Sequence, residues 1–351
     1  MAENSTNVRT KMALWGVRAA ARSLGAVAPG LAAAWSERLF LTPRRPRRSR
    51  TAEAVLARGQ PRVLRVEGEE VAVWSWGEGP RVLLVHGWSG YGGQLTAFVQ
   101  PLVDAGFSVV TYDAPGHGAS SGRTSSLPEL AGMVAAVGEA TGGPYAVVAH
   151  SFGAAATAVA LRDGMKVERA VFISPPADPL AGIRAFADTV GLSEALWRRM
   201  AARIEARFDM RLADLALPAF APGLDVPLRI FHDVGDREVP LAAGEAVARA
   251  WPGAKLTRTE GLGHFRILYA PEVLSPAVDF LAEGRPPSTS DRGGRSWLHS
   301  PLGPTTPNAA PAGSVAASVH SPPGTSCGPC STLPPLAVIA RCAAATEGTP
   351  K

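Results

Sequence analysis

The sequence predicts an α/β fold: a doubly wound, mostly parallel sheet of about eight strands with an inserted helical cap. Between residues 62 and 283, short apolar runs alternate with helical stretches. Most of the runs are almost continuously apolar, as expected of parallel strands buried on both faces. Residues 175–226 interrupt the alternation with Arg-, Ala- and Leu-rich helical sequence. Ligands bind at the carboxyl ends of the strands in such sheets, so we interpret this insertion as a cap over that edge.

The predicted strands begin with VLRV (63–66) and VAVWSW (71–76), which resemble an antiparallel opening pair. The other predicted strands are RVLLVH (81–86), SVVTY (108–112), YAVVAH (145–150), RAVFIS (169–174), PLRIFH (227–232) and AKLTRT (254–259). Helical stretches near 93–104, 127–140, 152–162, 241–250 and 271–283 occupy the intervals between them. This order of elements is typical of a doubly wound sheet.

Charge divides the chain into three parts. Residues 1–50 carry ten Lys or Arg against two Asp or Glu, residues 51–283 carry 20 against 26, and residues 284–351 carry five against two. The middle part is acidic, so no nucleic-acid partner is expected for it. We predict an N-terminal basic amphipathic segment (1–50), an α/β domain (51–283) and a tail (284–351). The Pro-, Ser- and Gly-rich tail is predicted to be disordered because it cannot bury enough apolar surface.

Two interpretations stay open for the N-terminal segment. Residues 9–41 form two amphipathic helical pieces with a break at Pro29 and Gly30. These pieces either pack on the main domain or anchor residues 9–50 at an anionic membrane surface, helped by TPRRPRRSR (42–50). Packing is favoured, since a basic Pro-rich run is usually a solvated linker. No uncharged apolar run reaches the roughly 18 residues that a membrane span needs.

All three cysteines lie in the tail, at Cys327, Cys330 and Cys342. The domain therefore contains no disulfide framework, which fits a cytoplasmic protein, either free or peripheral to a membrane. The CGPC sequence at 327–330 lacks the preceding strand and following helix that a redox motif needs. No cofactor and no metal ion are expected.

Two serines are candidates for a nucleophile. A literal G-x-S-x-G occurs as GASSG at 118–122, but no strand precedes Ser120 and no helix begins there. AVVAHSFGAAATAV (146–159) has the required strand–turn–helix context around Ser151, with Ala149 and Gly153 as small flanking residues. The start of the helix favours an anionic intermediate beside Ser151. In the alternative interpretation, Ser151 only caps the helix.

A serine nucleophile needs a base, and the base needs an acid that holds its tautomer. After Ser151 the chain offers Asp236 in FHDVGDREVP (231–240) and His264 in EGLGHF (260–265). Both residues follow predicted strands in loops at the carboxyl ends, so both side chains can reach the corner at Ser151. Asp233 is a competing acid in the first of these loops.

Five motifs together resemble the α/β-hydrolase superfamily, and within it the small bacterial serine esterases and lipases. They are LLVHGW (83–88), YDAPGHGAS (112–120), AHSFGA (149–154), HDVGDREVP (232–240) and GLGHF (261–265). The resemblance covers about residues 62–283 and implies that Ser151 is the nucleophile, His264 the general base and Asp236 the orienting acid. Asp236 is preferred over Asp233 because D-x-x-V-P follows the family pattern. Ala149 departs from the glycine that is usual in this family.

The resemblance also implies that the backbone N–H groups of Trp88 and Phe152 bind the oxyanion. It gives His86, His117 and His150 structural or pocket-lining roles. His86, Trp88 and His150 are the residues predicted to line the substrate pocket. The expected activity is hydrolysis of carboxylic esters of small or medium apolar substrates through an acyl-enzyme intermediate. A thioesterase or acyltransferase with the same triad, and a non-catalytic binding protein on a hydrolase fold, remain as alternatives.

Overall fold

A computed structural model describes residues 2–283, with side chains from residue 15 onward. The predicted tail and its CGPC motif lie outside the described residues. The strands are β1 (Gln60–Val66), β2 (Glu69–Trp76), β3 (Arg81–Val85), β4 (Ser108–Tyr112), β5 (Ala146–His150), β6 (Arg169–Ile173), β7 (Leu228–Asp233) and β8 (Lys255–Thr259). They form one sheet in the order β1-β2-β4-β3-β5-β6-β7-β8. The pairs β1–β2 and β2–β4 are antiparallel and the others are parallel, which confirms the predicted fold class.

The helices cover both faces of this sheet. They are α1 (Ala2–Val27), α2 (Pro29–Phe40), α3 (Arg50–Leu56), α4 (Val99–Asp104), α5 (Leu127–Ala140), α6 (Phe152–Arg162), α7 (Pro179–Val190), α8 (Glu194–Phe208), α9 (Leu217–Phe220), α10 (Leu241–Ala250), α11 (Gly263–Arg266) and α12 (Pro271–Ala282). Serines begin several of them. Ser126 Oγ, for example, accepts the N–H of Glu129 at the start of α5. No helix among the described residues is long and apolar enough to span a membrane.

Alternate residues of the central strands are buried on opposite faces of the sheet. Leu83 and Val147 belong to the core under α5 and α6, whereas Leu84 and Val148 belong to the core under α4 and α12. Because side chains of a strand point alternately to either face, a strand covered on both sides must be apolar throughout. This requirement explains why continuous apolar runs in the sequence predict β3 and β5.

The order of strands reverses next to β3, so the loops after β3 and β5 lie at a topological switch point. Ligands in open α/β sheets bind outside the carboxyl ends of the strands at this place. Ser151 follows β5 directly, and the loops after β7 and β8 carry Asp236 and His264. The fold therefore brings these three residues to one edge of the sheet.

The insertion between β6 and β7 consists of α7, α8, α9 and two short 3-10 turns. Its own apolar cluster contains Ile183, Met200, Ile204 and Phe208, and Leu41 of the N-terminal segment belongs to that cluster. Insertion and N-terminal segment thus share one small core.

The helices α1 and α2 pack on this insertion. Ala32 and Ala33 of α2 are buried together with Leu196 of α8, and Glu37 of α2 pairs with Arg203 of α8 at 2.7 Å. These contacts fit the interpretation that the segment packs on the main domain. Membrane contact through residues 9–50 stays a prediction. Among the side chains described on α1 and α2, the large apolar ones that remain exposed are Trp15, Val27 and Leu31.

Residues 42–50 are not a solvated linker, because two of their arginines are bound to the domain. The guanidinium group of Arg45 donates to four carbonyl oxygens of the loop after β4, those of Gly116, Gly118, Ser120 and Gly122, over 2.8–3.2 Å. Arg48 pairs with the carboxylate of Asp113, which is fully buried. A guanidinium group carries five N–H donors in a planar fork, so one arginine can hold several carbonyls of an irregular loop.

Candidate active site

Ser151 lies in a strained turn between β5 and α6. Its backbone has φ 53° and ψ −125°, a conformation that residues other than glycine rarely adopt. A Cβ atom on Gly153 would lie 2.3 Å from the carbonyl oxygen of His86, so only glycine lets α6 approach the end of β3 this closely. A glycine two positions after Ser151 is therefore a steric requirement of the turn.

A chain of hydrogen bonds joins the three predicted side chains. The hydroxyl of Ser151 lies 3.0 Å from Nε2 of His264, and Nδ1 of the same imidazole lies 2.7 Å from Oδ2 of Asp236. With the proton on Nδ1, the imidazole donates a hydrogen bond to the carboxylate of Asp236. Its Nε2 then accepts a hydrogen bond from the hydroxyl of Ser151. The N–H groups of Glu238 and Val239 donate to Oδ1 of Asp236 at 2.9 and 3.0 Å and fix this carboxylate in turn.

The carboxylate of Asp236 stays ionised although it is buried. Burial raises its pKa, but the hydrogen bonds from His264 and from the N–H of Val239 outweigh that effect and lower the pKa to about 2. An ionised acceptor at this place holds the proton of His264 on Nδ1. It leaves Nε2 free to accept a proton from Ser151.

Asp233 serves the loop and does not touch the imidazole of His264. Its carboxylate accepts hydrogen bonds from the hydroxyl of Thr259, the N–H of Leu262 and the N–H of Gly235, each at 2.9 Å. Burial raises the pKa of Asp233, but these donors outweigh it and the pKa is lowered overall. Of the two candidate acids, the structure places only Asp236 against His264.

The backbone N–H groups of Trp88 and Phe152 donate to no acceptor within the described part of the chain. Phe152 begins α6, where the first N–H groups have no intrahelical partner. The turn that carries Trp88 lies against Ser151, since a Cβ atom on Gly87 would lie 3.0 Å from Cβ of Ser151. Two free donors beside the hydroxyl are the arrangement that an oxyanion requires.

His86 and His150 are buried and hydrogen-bonded within the protein, which is the structural one of the two roles that the resemblance implies for them. His86 donates from Nδ1 to the carbonyl of Gly87 at 2.8 Å and accepts the N–H of Ala114 on Nε2 at 3.0 Å. His150 donates from Nε2 to the carbonyl of His264 at 3.0 Å. Burial lowers the pKa of both rings, that of His150 to about 3, so both stay neutral and orient their neighbours. Of the predicted pocket residues, only Trp88 is partly exposed.

Sequence reasoning missed the arginines that hold the loop after β4. The Asp113 carboxylate in this loop accepts the N–H groups of Gly92 and Ala119 at 2.8 and 2.7 Å. A buried carboxylate also calls for a cation, and the arginine-rich segment upstream was the available signal. The distance of 65 residues between Arg48 and Asp113 hides that pairing from any local pattern.

Comparison with known proteins decides the family. The sequence model of the alpha/beta hydrolase family matches residues 82–277, more than half of the chain. This chain belongs to the alpha/beta hydrolase family. A relative named as pimeloyl-[acyl-carrier protein] methyl ester esterase, from Aromatoleum aromaticum, is 26% identical, and the match covers 58% of this chain and 99% of the relative.

Solved structures of hydrolases share the fold. A putative lipase from Acinetobacter baumannii superposes with a TM-score of 0.53 at 17% identity, covering 68% of this chain and 98% of the lipase. An esterase from Exiguobacterium antarcticum gives a TM-score of 0.51 at 14% identity, covering 63% of this chain and 99% of the esterase. At these identities the likeness concerns the fold alone.

In this alpha/beta hydrolase, Ser120 is a structural residue of the loop after β4. Its side chain is 2% exposed. The hydroxyl donates to the carbonyl of Asp113 and accepts the N–H of Ala72 at 2.9 Å. Because the hydroxyl of Ser120 both donates and accepts a hydrogen bond inside the protein, it is not free to act as a nucleophile, although Ser120 lies in a literal G-x-S-x-G.

Proposed function

We propose that this alpha/beta hydrolase is a serine esterase that cleaves carboxylic esters of small or medium apolar substrates. The observation that carries the proposal is the continuous hydrogen-bonded chain from Asp236 through His264 to Ser151. The name of the curated relative, a methyl ester esterase, supports an ester as the bond that is cleaved.

The proposed reaction begins when Oγ of Ser151 attacks the ester carbonyl carbon and Nε2 of His264 takes the hydroxyl proton. The carbonyl oxygen becomes an oxyanion that accepts hydrogen bonds from the N–H groups of Trp88 and Phe152. Asp236 stabilises the imidazolium that forms. The intermediate then collapses, the proton passes from Nε2 to the leaving alcohol, and an acyl group remains on Ser151.

Water completes the cycle by the same route. His264 removes a proton from a water molecule, which attacks the acyl carbon and forms a second oxyanion. Collapse releases the carboxylic acid and returns the proton to Ser151. Each group thus acts twice, and no redox change occurs.

A fluorophosphonate probe tests the proposal, since it reacts covalently with an activated serine. Intact-mass measurement of the full chain should show one adduct, and peptide mapping should place that adduct on Ser151. Ser151→Ala should remain unlabelled, while Ser120→Ala serves as a matched serine control and should label like the wild type. Absence of labelling in a folded wild-type protein would instead favour a binding protein on a hydrolase fold.

Trapping with an added nucleophile separates the hydrolase from an acyltransferase. With p-nitrophenyl butyrate as substrate, the hydrolase should release butyric acid as its main product even when an alcohol is present at millimolar concentration. Predominant transfer to the alcohol would contradict hydrolysis as the main reaction while leaving the acyl-enzyme intact.

A further inference from the structure

A row of four aromatic rings leads away from the nucleophile. The ring of Phe152, the residue after Ser151, meets Trp88 edge to face with 5.4 Å between ring centroids. The ring of Phe40 stacks on that of Trp88, with 6.5 Å between ring centroids. Phe186 of α7 meets Phe40 edge to face at 5.2 Å. One continuous apolar surface therefore runs from the strained turn at Ser151 (the elbow) to the insertion between β6 and β7.

Phe40 is the last residue of α2, so the N-terminal segment supplies one ring of this row. Salt bridges hold the helix in place: the side chain of Glu37 is 7% exposed and lies 2.7 Å from Arg203 and 3.6 Å from Arg207 of α8. On the other side of Phe40, Leu41 is buried and its carbonyl accepts the N–H of Ser125 at 2.8 Å. With both flanks of the ring held, Phe40 is positioned before any ligand binds, which lowers the entropic cost of binding.

The direction of the row indicates which part of a substrate it contacts. In the proposed reaction, the leaving alcohol must lie toward Nε2 of His264, which protonates it. The row begins instead at Trp88 and Phe152, whose N–H groups are the candidate oxyanion donors. The acyl chain is the part of an ester that is left to extend along this side.

We propose that Phe40 is a specificity-determining residue that binds the distal part of an apolar acyl chain. This inference rests on the proposed esterase function and adds a residue from outside the region that resembles the family. An acetyl group ends beside Phe152 and Trp88, whereas an octanoyl chain reaches the ring of Phe40. The N-terminal segment thereby sets the preference for acyl length.

The test compares p-nitrophenyl acetate with p-nitrophenyl octanoate on the full chain. In Phe40→Ala, the ratio of kcat/KM for octanoate to that for acetate should fall about tenfold, which is within the range for lost apolar contacts in a pocket. The change should appear as a higher KM for octanoate with little change in kcat, because a contact remote from the reacting bond contributes equally to ground and transition states. Phe40→Leu should keep part of the preference.

Leu31→Ala is the matched control, since Leu31 lies on the same helix and is 67% exposed. It removes an apolar side chain from α2 without touching the aromatic row, and it should leave the ratio within twofold of the wild type. Titration with the fluorophosphonate counts the active sites in each preparation. Because both substrates are measured on the same sites, partial unfolding of a variant cancels in the ratio.

Two results would overturn the inference while leaving the esterase function intact. One is an unchanged ratio in Phe40→Ala, and the other is a gain on octanoate, which would show that the ring blocks the chain. A wild-type protein that neither labels with the probe nor hydrolyses either ester would overturn the proposed function and this inference with it.

Discussion

Ser120 lies at the centre of a literal G-x-S-x-G, whereas Ser151 lies in AHSFG, and the two serines are in opposite structural states. Ser151 occupies a left-handed turn at the end of β5, with its hydroxyl 3.0 Å from an imidazole nitrogen. Ser120 lies in the loop after β4, where its hydroxyl bonds the backbone of Asp113 and Ala72. The comparison teaches that the literal motif does not by itself bring a serine hydroxyl to an imidazole. At Ser151 this contact depends on a strand that ends and a helix that begins at the serine.

The two regions also differ in what holds them. The elbow is held by close packing of backbone, since Gly153 contacts the carbonyl of His86. The loop around Ser120 is held by charged side chains from the N-terminal segment, Arg45 on its carbonyls and Arg48 on Asp113. Loss of the Ser151 hydroxyl should therefore act on catalysis, and substitutions in the loop around Ser120 should act on stability.

The largest expected effect separates the two serines. Ser151→Ala should lower kcat/KM for p-nitrophenyl butyrate by about 10³-fold or more, as losses of a triad nucleophile generally do. Ser120→Ala should keep the activity but lower the free energy of unfolding by about 1–3 kcal/mol, because it leaves a buried carbonyl and N–H without their partner. Steady-state kinetics and urea unfolding measure the two effects. An exchange of the two outcomes would show that the wrong serine is assigned.

The next effect separates the two acids near the elbow. Asp236→Asn should lower kcat by about 10³-fold, because an amide no longer holds the proton of His264 on Nδ1. Asp233→Asn should chiefly lower the melting temperature, since its carboxylate bonds Thr259 and the loop backbone and does not contact the imidazole. Kinetics at a temperature where both variants are folded distinguish them. Equal losses of kcat would contradict this division of roles.

A smaller effect tests the clasp that Arg45 and Arg48 of the N-terminal segment form on the loop around Ser120. Arg48→Ala should lower the free energy of unfolding by about 2–3 kcal/mol, because the carboxylate of Asp113 stays buried without its cation. Arg65→Ala is the control, since Arg65 pairs with Glu70 at the surface with exposed fractions of 84% and 57%. A surface pair contributes about 0–1 kcal/mol. Similar losses in the two variants would mean that the clasp adds nothing beyond surface charge.

The smallest effect concerns backbone packing at the elbow. Gly153→Ala should cost about 1–3 kcal/mol, because the new methyl group meets the backbone carbonyl of His86 and α6 must shift. Gly132→Ala in α5 meets nothing within 4 Å and should stabilise the protein by about 0.4–1 kcal/mol. Urea unfolding of both variants gives the difference directly. A neutral Gly153→Ala would show that the elbow tolerates more volume than its geometry indicates.

Much of the fold and the site was predictable because it follows from local patterns. The run at β5 is apolar at every position since the strand is covered on both faces, and Ser151 was placed by the change from strand to helix period. The chain order Ser151, Asp236, His264 named the three side chains that the structure brings into contact. The preference for Asp236 over Asp233 came from family resemblance. The sequence spacing of the two aspartates from His264 did not by itself decide which of them contacts the imidazole.

What the sequence by itself determined is therefore the alternation of strands and helices and the corner at Ser151, because each of these leaves a pattern within a few consecutive residues. Only the tertiary structure decided that Arg45 and Arg48 bind the loop after β4 and that Phe40 stacks on Trp88. These contacts join residues 48 to 77 positions apart. The physical reason is that a hydrogen bond or a ring contact at such separation imposes no period on the sequence. An arginine that will be bound to a loop carbonyl has the same local context as one that will face solvent.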